Sequence, residues 1–347
     1  MRRVDIIVSG LGNIGSRFIG VLNQKQSVIR EQYGLDVRLV GAADVEGGAV
    51  DPDGLDLAAV AGLERRHSVG TLAGVGRMGM TYLDVLKAVK ADVFFEATRV
   101  NLMDGEPGMS AMRAAIQHGC HLITTNKGPL ALDYVGFRDL AKQHGVKIRH
   151  DGTVFGGLPA ITIAERDLAG AVITKLEAQA NLANSYILAK MSDGLSYADA
   201  VQGAKDVGAA DQDETLDVDG WDAVIKLVIF ANAVLGMNAK IDDVRRESMR
   251  DVDPARIADA KSRGNVLKYI AEAVRLEDGR YDLATGLREL PHDHALAALG
   301  AQHMGVSYTS DLFGTITASI YESSPLPSAS TMLRDLLILY QCETVKS

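Results

Sequence analysis

The stretch "VDIIVSGLGNIG", residues 4–15, decides the fold. Its first half is apolar on both faces, as a strand buried between two layers must be. Its second half places Gly10, Gly12 and Gly15 in the spacing Gly-x-Gly-x-x-Gly directly after that strand, where a helix should open. In this context the glycines allow a tight turn and a close backbone approach to a pyrophosphate, whose charge a helix N-terminus favours. On its own the pattern reads equally well as a packing turn. Further strands are predicted at 37–44, 91–98, 121–126 and 146–152, with helices around 12–24, 107–119 and 131–144. The alternation predicts an α/β, doubly wound, Rossmann-type parallel sheet.

Asp44 ends the second predicted strand, where a carboxylate can accept hydrogen bonds from a ribose hydroxyl. It lies further from the glycines than the usual ~20 residues, so the first helix or its loop should be extended. No arginine follows Asp44 closely, which favours NAD over NADP, although Arg65 and Arg66 could fold back.

After "TVFGGLP" (153–159) the pattern changes. Strands are predicted at 172–180, 266–274, 280–289 and 314–321, with helices near 196–207, 221–235 and 254–262, which reads as an α+β domain. The segment "SPLPSASTMLRDLLILYQ" (324–341) has prolines, a serine cap and helical periodicity. The expected division is a dinucleotide domain at 1–152, a substrate and dimerisation domain at 153–321, and a helix within 322–347 that returns to the first domain.

A chain of 347 residues suits two cores better than one. The net charge of -9 and the lack of a basic run disfavour nucleic acid. The longest apolar run, "VIKLVIFANAVLGM" (224–237), falls short of the ~20 residues a membrane helix needs. Cys120 and Cys342 cannot make a disulfide framework, and the N-terminus runs straight into a strand, so the expected setting is the cytoplasm.

Lys226 stands inside that apolar run, four residues after Asp222. An exposed ion pair at this spacing contributes only a few tenths of a kcal/mol. Here the neighbours from Ala223 to Phe230 leave little room for water, and a buried charge is more often one that is used. Upstream, Asp211, Asp213, Glu214, Asp217 and Asp219 form an acidic loop, some of whose carboxylates are expected to hold a polar substrate. Lys127 follows the strand 121–126, at the carboxyl end of the sheet where ligands of such folds bind. "HGCH" (118–121) lacks a second ligand pair for zinc, and "PHDH" (291–294) is read as a surface helix cap.

These residues lie in stretches that together resemble the homoserine dehydrogenase family: "GLGNIGSRF", "DPDGLDL", "FEATRVNLMDGEPG", "TTNKGPLAL", "DGTVFGGLP", "ILAKMSDGLSYADAV", "TLDVDGWDAVIKLVI" and "PLPSASTMLRDLL". The order is that of the short form, without a regulatory domain. The resemblance implies a nicotinamide-dependent interconversion of homoserine and aspartate semialdehyde by a homodimer. It implies catalytic roles for Lys127, Lys226 and Asp222, and substrate binding by Asp217 and by Asp211, the latter in place of a family glutamate. Cofactor contacts are implied at Gly10, Gly12, Asn13, Ile14, Gly15, Asp44, Ala97, Thr98 and Asn126. A monovalent cation, Na+ or K+, is implied at the backbone oxygens of Asp151, Val154 and Gly156.

Besides Asp211, two stretches depart from the family: Leu182 and Ala183 stand where it has Gly-Thr, and "YESSPLPSAS" replaces its Gly-Pro-Gly-Ala-Gly loop. Altered polar groups imply an altered substrate site. Two alternatives therefore stand beside homoserine oxidation: a dehydrogenase of the same fold for another small hydroxy acid or hydroxyamino acid, and a non-catalytic NAD(H)-sensing protein.

Overall fold

The structure is a computed structural model that describes residues 1–63, 67–210 and 212–341. In chain order the elements are β1 (Arg2–Ser9), α1 (Asn13–Tyr33), β2 (Leu35–Ala43), β3 (Gly47–Val50), α2 (Leu57–Ala61), β4 (Gly76–Met78), α3 (Tyr82–Ala88), β5 (Val93–Glu96), α4 (Gly108–Gln117), β6 (His121–Thr124), α5 (Lys127–His144) and β7 (Ile148–Arg149). They continue with α6 (Ala160–Thr162), β8 (Ile173–Gln179), α7 (Leu182–Ser192), α8 (Tyr197–Asp206), α9 (Thr215–Val218), α10 (Trp221–Val234), β9 (Val244–Arg246), α11 (Pro254–Ser262), β10 (Asn265–Arg275), β11 (Tyr281–Pro291), β12 (His303–Ser310), β13 (Gly314–Tyr321) and α12 (Leu326–Gln341).

Two compact units result, one of residues 1–157 with 324–347 and one of residues 158–323. In the first, the strand order is β4-β3-β2-β1-β5-β6-β7. β2, β1, β5, β6 and β7 run parallel, while β3 and β4 extend the β2 edge antiparallel. The chain leaves β1 toward β2 on one side and later returns to β5 on the other, so the order reverses between β1 and β5. The carboxyl ends of those two strands are where ligands of open α/β sheets bind. α1 is 21 residues long, which accounts for the late position of Asp44. Its Phe18 stacks on Phe95 of β5 with ring centroids 4.4 Å apart. Met332, Leu336, Leu339 and Tyr340 of α12 complete the same core.

The second unit is built on a six-stranded sheet in the order β13-β12-β8-β10-β11-β9, antiparallel except for β11 with β9. α10 buries every residue from Asp222 to Ile225 and from Leu227 to Asn232, as a helix apolar all round must. Several elements differ from the sequence reading, among them β3, β4, α2, α3, α7 and β9, which it did not predict. β12 was not expected, because "HMGVSYTS" looks polar; Met304, Val306 and Tyr308 face the core on one side while Ser307 meets Thr317 on the other. Residues 291–294 form no helix cap: Pro291 ends β11, residues 292–294 turn away from it, and His294 Nε2 lies 3.4 Å from Glu177 instead.

Candidate active site

In the first unit the glycine turn sits at the carboxyl end of β1. Gly10 has φ +92°, and a Cβ there would lie 2.5 Å from the backbone of Ala97; one on Gly15 would lie 1.9 Å from Gly10 O. Only glycine permits this contact of turn, helix and β5. A Cβ on Gly12 would meet nothing within 4 Å, and no side chain caps α1, so the helix N-terminus faces open space of the kind an anion can enter. Asn13 is exposed and accepts from Arg17 at 3.0 Å; Ile14 packs on the core. These features fit a dinucleotide pyrophosphate.

Asp44 follows β2, but its carboxylate already has partners. Oδ1 accepts from Glu46 N and Gly47 N, each at 2.9 Å, and from Ser68 Oγ at 2.8 Å, while Oδ2 accepts from Val69 N at 2.7 Å. It therefore shapes the turn beside the glycine loop, with capacity on Oδ2 for one more donor. Val45 is fully exposed and Glu46 is exposed. Arg65 and Arg66 lie outside the described residues.

Beyond β5 and β6 lie Ala97, Thr98, Asn126 and Lys127. Asn126 is buried and caps α5, its Oδ1 accepting from Gly128 N at 3.1 Å. Lys127 is the first residue of α5 and half-buried. The sequence reading started this helix at 131 and missed Glu96, the fully buried last residue of β5 that accepts hydrogen bonds from Thr98, Thr124 and Asn126. An acid inside "DVFFEAT" was its signal.

In the second unit, Lys226 is held one turn after Asp222, its side chain 14 % exposed. Its Nζ donates to Asp222 Oδ2 at 2.8 Å and to Ala180 O at 2.6 Å. Among the described residues these leave one of its three protons for a ligand. Asn181, also missed, joins the group: its Nδ2 donates to Asp222 Oδ2 at 2.8 Å and Asp217 Oδ1 at 2.7 Å, and its Oδ1 caps α7 through Asn184 N. Its signal was an asparagine directly before a helical run. One amide thus orients two carboxylates around a partly dehydrated ammonium. Of the other acids in the loop, Asp213 receives Thr215 N, Glu214 pairs with Lys205 at 2.6 Å and Asp219 with Arg250 at 2.8 Å. These pairings hold the loop together; Asp211 lies outside the described residues.

The loop after β7 carries Asp151, Val154 and Gly156. Gly156 O accepts from Thr331 Oγ1 at 2.7 Å, and Arg334 lies 3.7 Å from the buried Asp151 carboxylate. Both oxygens of Asp335 are buried without a hydrogen-bond partner. Burial, with the Asp151 charge, pushes this carboxyl up to about 7. Among the described residues no group of three or more His, Cys, Asp or Glu is placed to hold a metal ion. Cys120 is a buried free thiol, pushed up to about 11 by burial.

A family model described as "Homoserine dehydrogenase, NAD binding domain" matches residues 10–151, and one described as "Homoserine dehydrogenase" matches residues 159–337. A homoserine dehydrogenase of Methanocaldococcus jannaschii is 34% identical over 97% of this chain and 98% of its own length. An NAD(+)-dependent homoserine dehydrogenase of Pseudomonas canavaninivorans is 32% identical over 100% and 99%. The crystal structure of a putative homoserine dehydrogenase from Archaeoglobus fulgidus superposes with a TM-score of 0.86 at 27% identity, covering 97% of this chain and 99% of that one. Similarity that runs unbroken through the glycine turn and the lysine helix alike means that the chain belongs to the homoserine dehydrogenase family.

Proposed function

We propose that the chain catalyses the reversible, NAD(P)-dependent interconversion of homoserine and aspartate semialdehyde. The observation that carries this reading is Lys226, half-buried on α10 with a carboxylate on one proton and a carbonyl on another. A bound nicotinamide supplies or accepts the hydride. In oxidation, neutral Lys226 takes the proton of the substrate hydroxyl; in reduction, its ammonium returns a proton to the carbonyl oxygen. Asp222 orients the amine through their 2.8 Å ion pair. Asp217, fixed by Asn181, accepts from the substrate ammonium, with Asp211 as a second acceptor. Lys127 contributes a cation at the reacting oxygen.

NAD is the preferred cofactor in this reading. An acid at the end of β2, with exposed Val45 and Glu46 after it, offers a ribose an acceptor and a 2′-phosphate only repulsion. The relative from Pseudomonas canavaninivorans carries NAD(+) dependence in its name. For the cation, Asp335 is the supporting observation: its buried carboxyl lies one turn along α12 from the Thr331 that holds Gly156 O, and on losing its proton it would be a counter-charge to Na+ or K+ at the oxygens of Asp151, Val154 and Gly156. A homodimer through the second unit fits β13, an edge strand with exposed Leu312, Phe313 and Tyr321 about it. The cytoplasm is the proposed setting, in keeping with the free thiol of Cys120; no described helix is long and apolar enough to cross a membrane.

Leu182 and Ala183 favour a second reading, in which the same chemistry acts on another small hydroxy acid or hydroxyamino acid. Purified chain assayed by nicotinamide absorbance at 340 nm, with homoserine and such compounds and with each cofactor, separates the readings. Turnover of homoserine above all others is expected. Preference for another compound supports the second reading, and NADH binding without turnover of any substrate returns the chain to the sensor class.

A further inference from the structure

We propose that Glu96 is a positioning residue that sets the geometry of the nicotinamide end of the cofactor site; the inference rests on the NAD(P)-binding reading of the first unit. Glu96 ends β5 beside the reversal of strand order, and it is fully buried. Among the described residues it has no lysine, arginine or histidine partner. A carboxylate so placed is costly, and an apolar side chain would suit the strand better.

What the carboxylate has instead is donors. Oε1 accepts from Thr98 N at 2.9 Å, from the Thr98 hydroxyl and from Asn126 Nδ2 at 3.3 Å; Oε2 accepts from the Thr124 hydroxyl at 3.0 Å. Both hydroxyls have their direction fixed. Thr124 Oγ1 accepts from Asn126 N at 3.0 Å and Thr98 Oγ1 from Asn126 Nδ2 at 3.3 Å, so each sends its own proton to Glu96. Burial pushes the Glu96 carboxyl upward while these hydrogen bonds pull it down.

The consequence falls on two turns. Thr98, tied at its amide and its hydroxyl, fixes the turn after β5 that Gly10 touches. Asn126 has only one acceptable amide orientation: with Nδ2 toward Glu96, Oδ1 must face Gly128 N and cap α5. Rotated by half a turn, it would set Oδ1 against Oε1. Glu96 therefore acts through Asn126 on the helix whose first residue is Lys127.

The test uses full-length chain with homoserine and NAD(P), comparing native enzyme with Glu96→Gln and Thr124→Val. Glu96→Gln keeps the shape and the Oε1 acceptor but puts an amide where donors converge. The expected result is a fall in kcat of about 10- to 100-fold with KM for homoserine changed less than 3-fold, and a larger kinetic isotope effect with homoserine deuterated at the hydroxyl-bearing carbon, as misalignment makes hydride transfer limiting. Thr124→Val, which removes the Oε2 donor together with the acceptor of Asn126 N and keeps the side-chain shape, should show the same pattern at about 3- to 10-fold and supplies the test if Glu96→Gln does not fold. In parallel, Kd for NADH by cofactor fluorescence should rise about 5-fold or more in Glu96→Gln. Variants with lowered melting temperature but native kcat, isotope effect and NADH affinity would reduce Glu96 to a structural acid. If native chain turns over no homoserine, the substrate reading fails, and the NADH titration alone decides the role of Glu96.

Discussion

Two lysines of the second unit, Lys226 half-buried and Lys268 buried, are treated in opposite ways. Lys226 on α10 meets a carboxylate at 2.8 Å, and that carboxylate is itself held by Asn181. Lys268 on β10 is 8 % exposed, donates to Leu299 O and has no acid partner among the described residues. Directly across the ladder stands Arg288, a like charge that Glu272 holds at 2.5 Å. Burial pushes the Lys268 amine down to about 8. A charge kept for chemistry is surrounded by groups that orient it, whereas a charge merely enclosed by the fold finds one carbonyl and loses proton affinity.

The largest effect that would sharpen this contrast is expected at Lys226. Lys226→Arg preserves a cation beside Asp222, but guanidinium does not give up a proton near neutral pH. Turnover with the preferred substrate should fall about 10³-fold, while the melting temperature and NADH affinity stay near native. Near-native turnover in a folded variant would remove Lys226 from the chemistry. Next comes Asp222→Asn, which leaves the ammonium without its counter-charge. Breaking a buried pair from one side costs roughly 3 kcal/mol or more, so its urea midpoint should drop sharply, with turnover reduced about 10- to 100-fold in the fraction that folds. A variant as stable and as active as native would mean that the pair is no better built than the lone Lys268.

Much of this was legible in the sequence, in proportion to how local each signal is. The strands around the glycine turn announce themselves as short apolar runs, and Lys226 announces itself because its acid is four residues away. Asp44 was placed by spacing, but its hydrogen bonds to Ser68 and Val69 depend on a loop that folds back over 24 and 25 residues. Asn181 and Glu96 were missed because their partners lie 36 and 41, and 28 and 30, residues downstream. β12 was missed for a related reason. Its polar face meets β13 and β8 across the sheet, so its serines and threonines are satisfied by partners that composition does not reveal. Lys268 falls within a predicted strand, yet its burial comes from the 292–302 segment, where Leu296, Ala297 and Leu299 cover Ile270 and Leu290. No periodicity in β10 reports that cover.

The smallest expected effect concerns Lys268, and it has a sign that the comparison dictates. With the amine at about 8 in the folded chain against an ordinary 10.5, the unfolded state binds more protons between those values. The destabilisation is therefore present in full below pH 8 and is relieved as pH rises toward 10.5. Its upper limit at pH 7 is about 3 kcal/mol. Lys268→Met fills the same space without charge, but leaves Leu299 O without its donor, which returns about 1 kcal/mol. The variant should thus be about 1–2 kcal/mol more stable than native at pH 7 by urea denaturation, with the difference shrinking by pH 9.5 and turnover within 2-fold. A gap that does not narrow with pH would show that packing rather than charge sets it. A loss of turnover beyond 10-fold would end the contrast altogether, since Lys268 would then serve the reaction as Lys226 does.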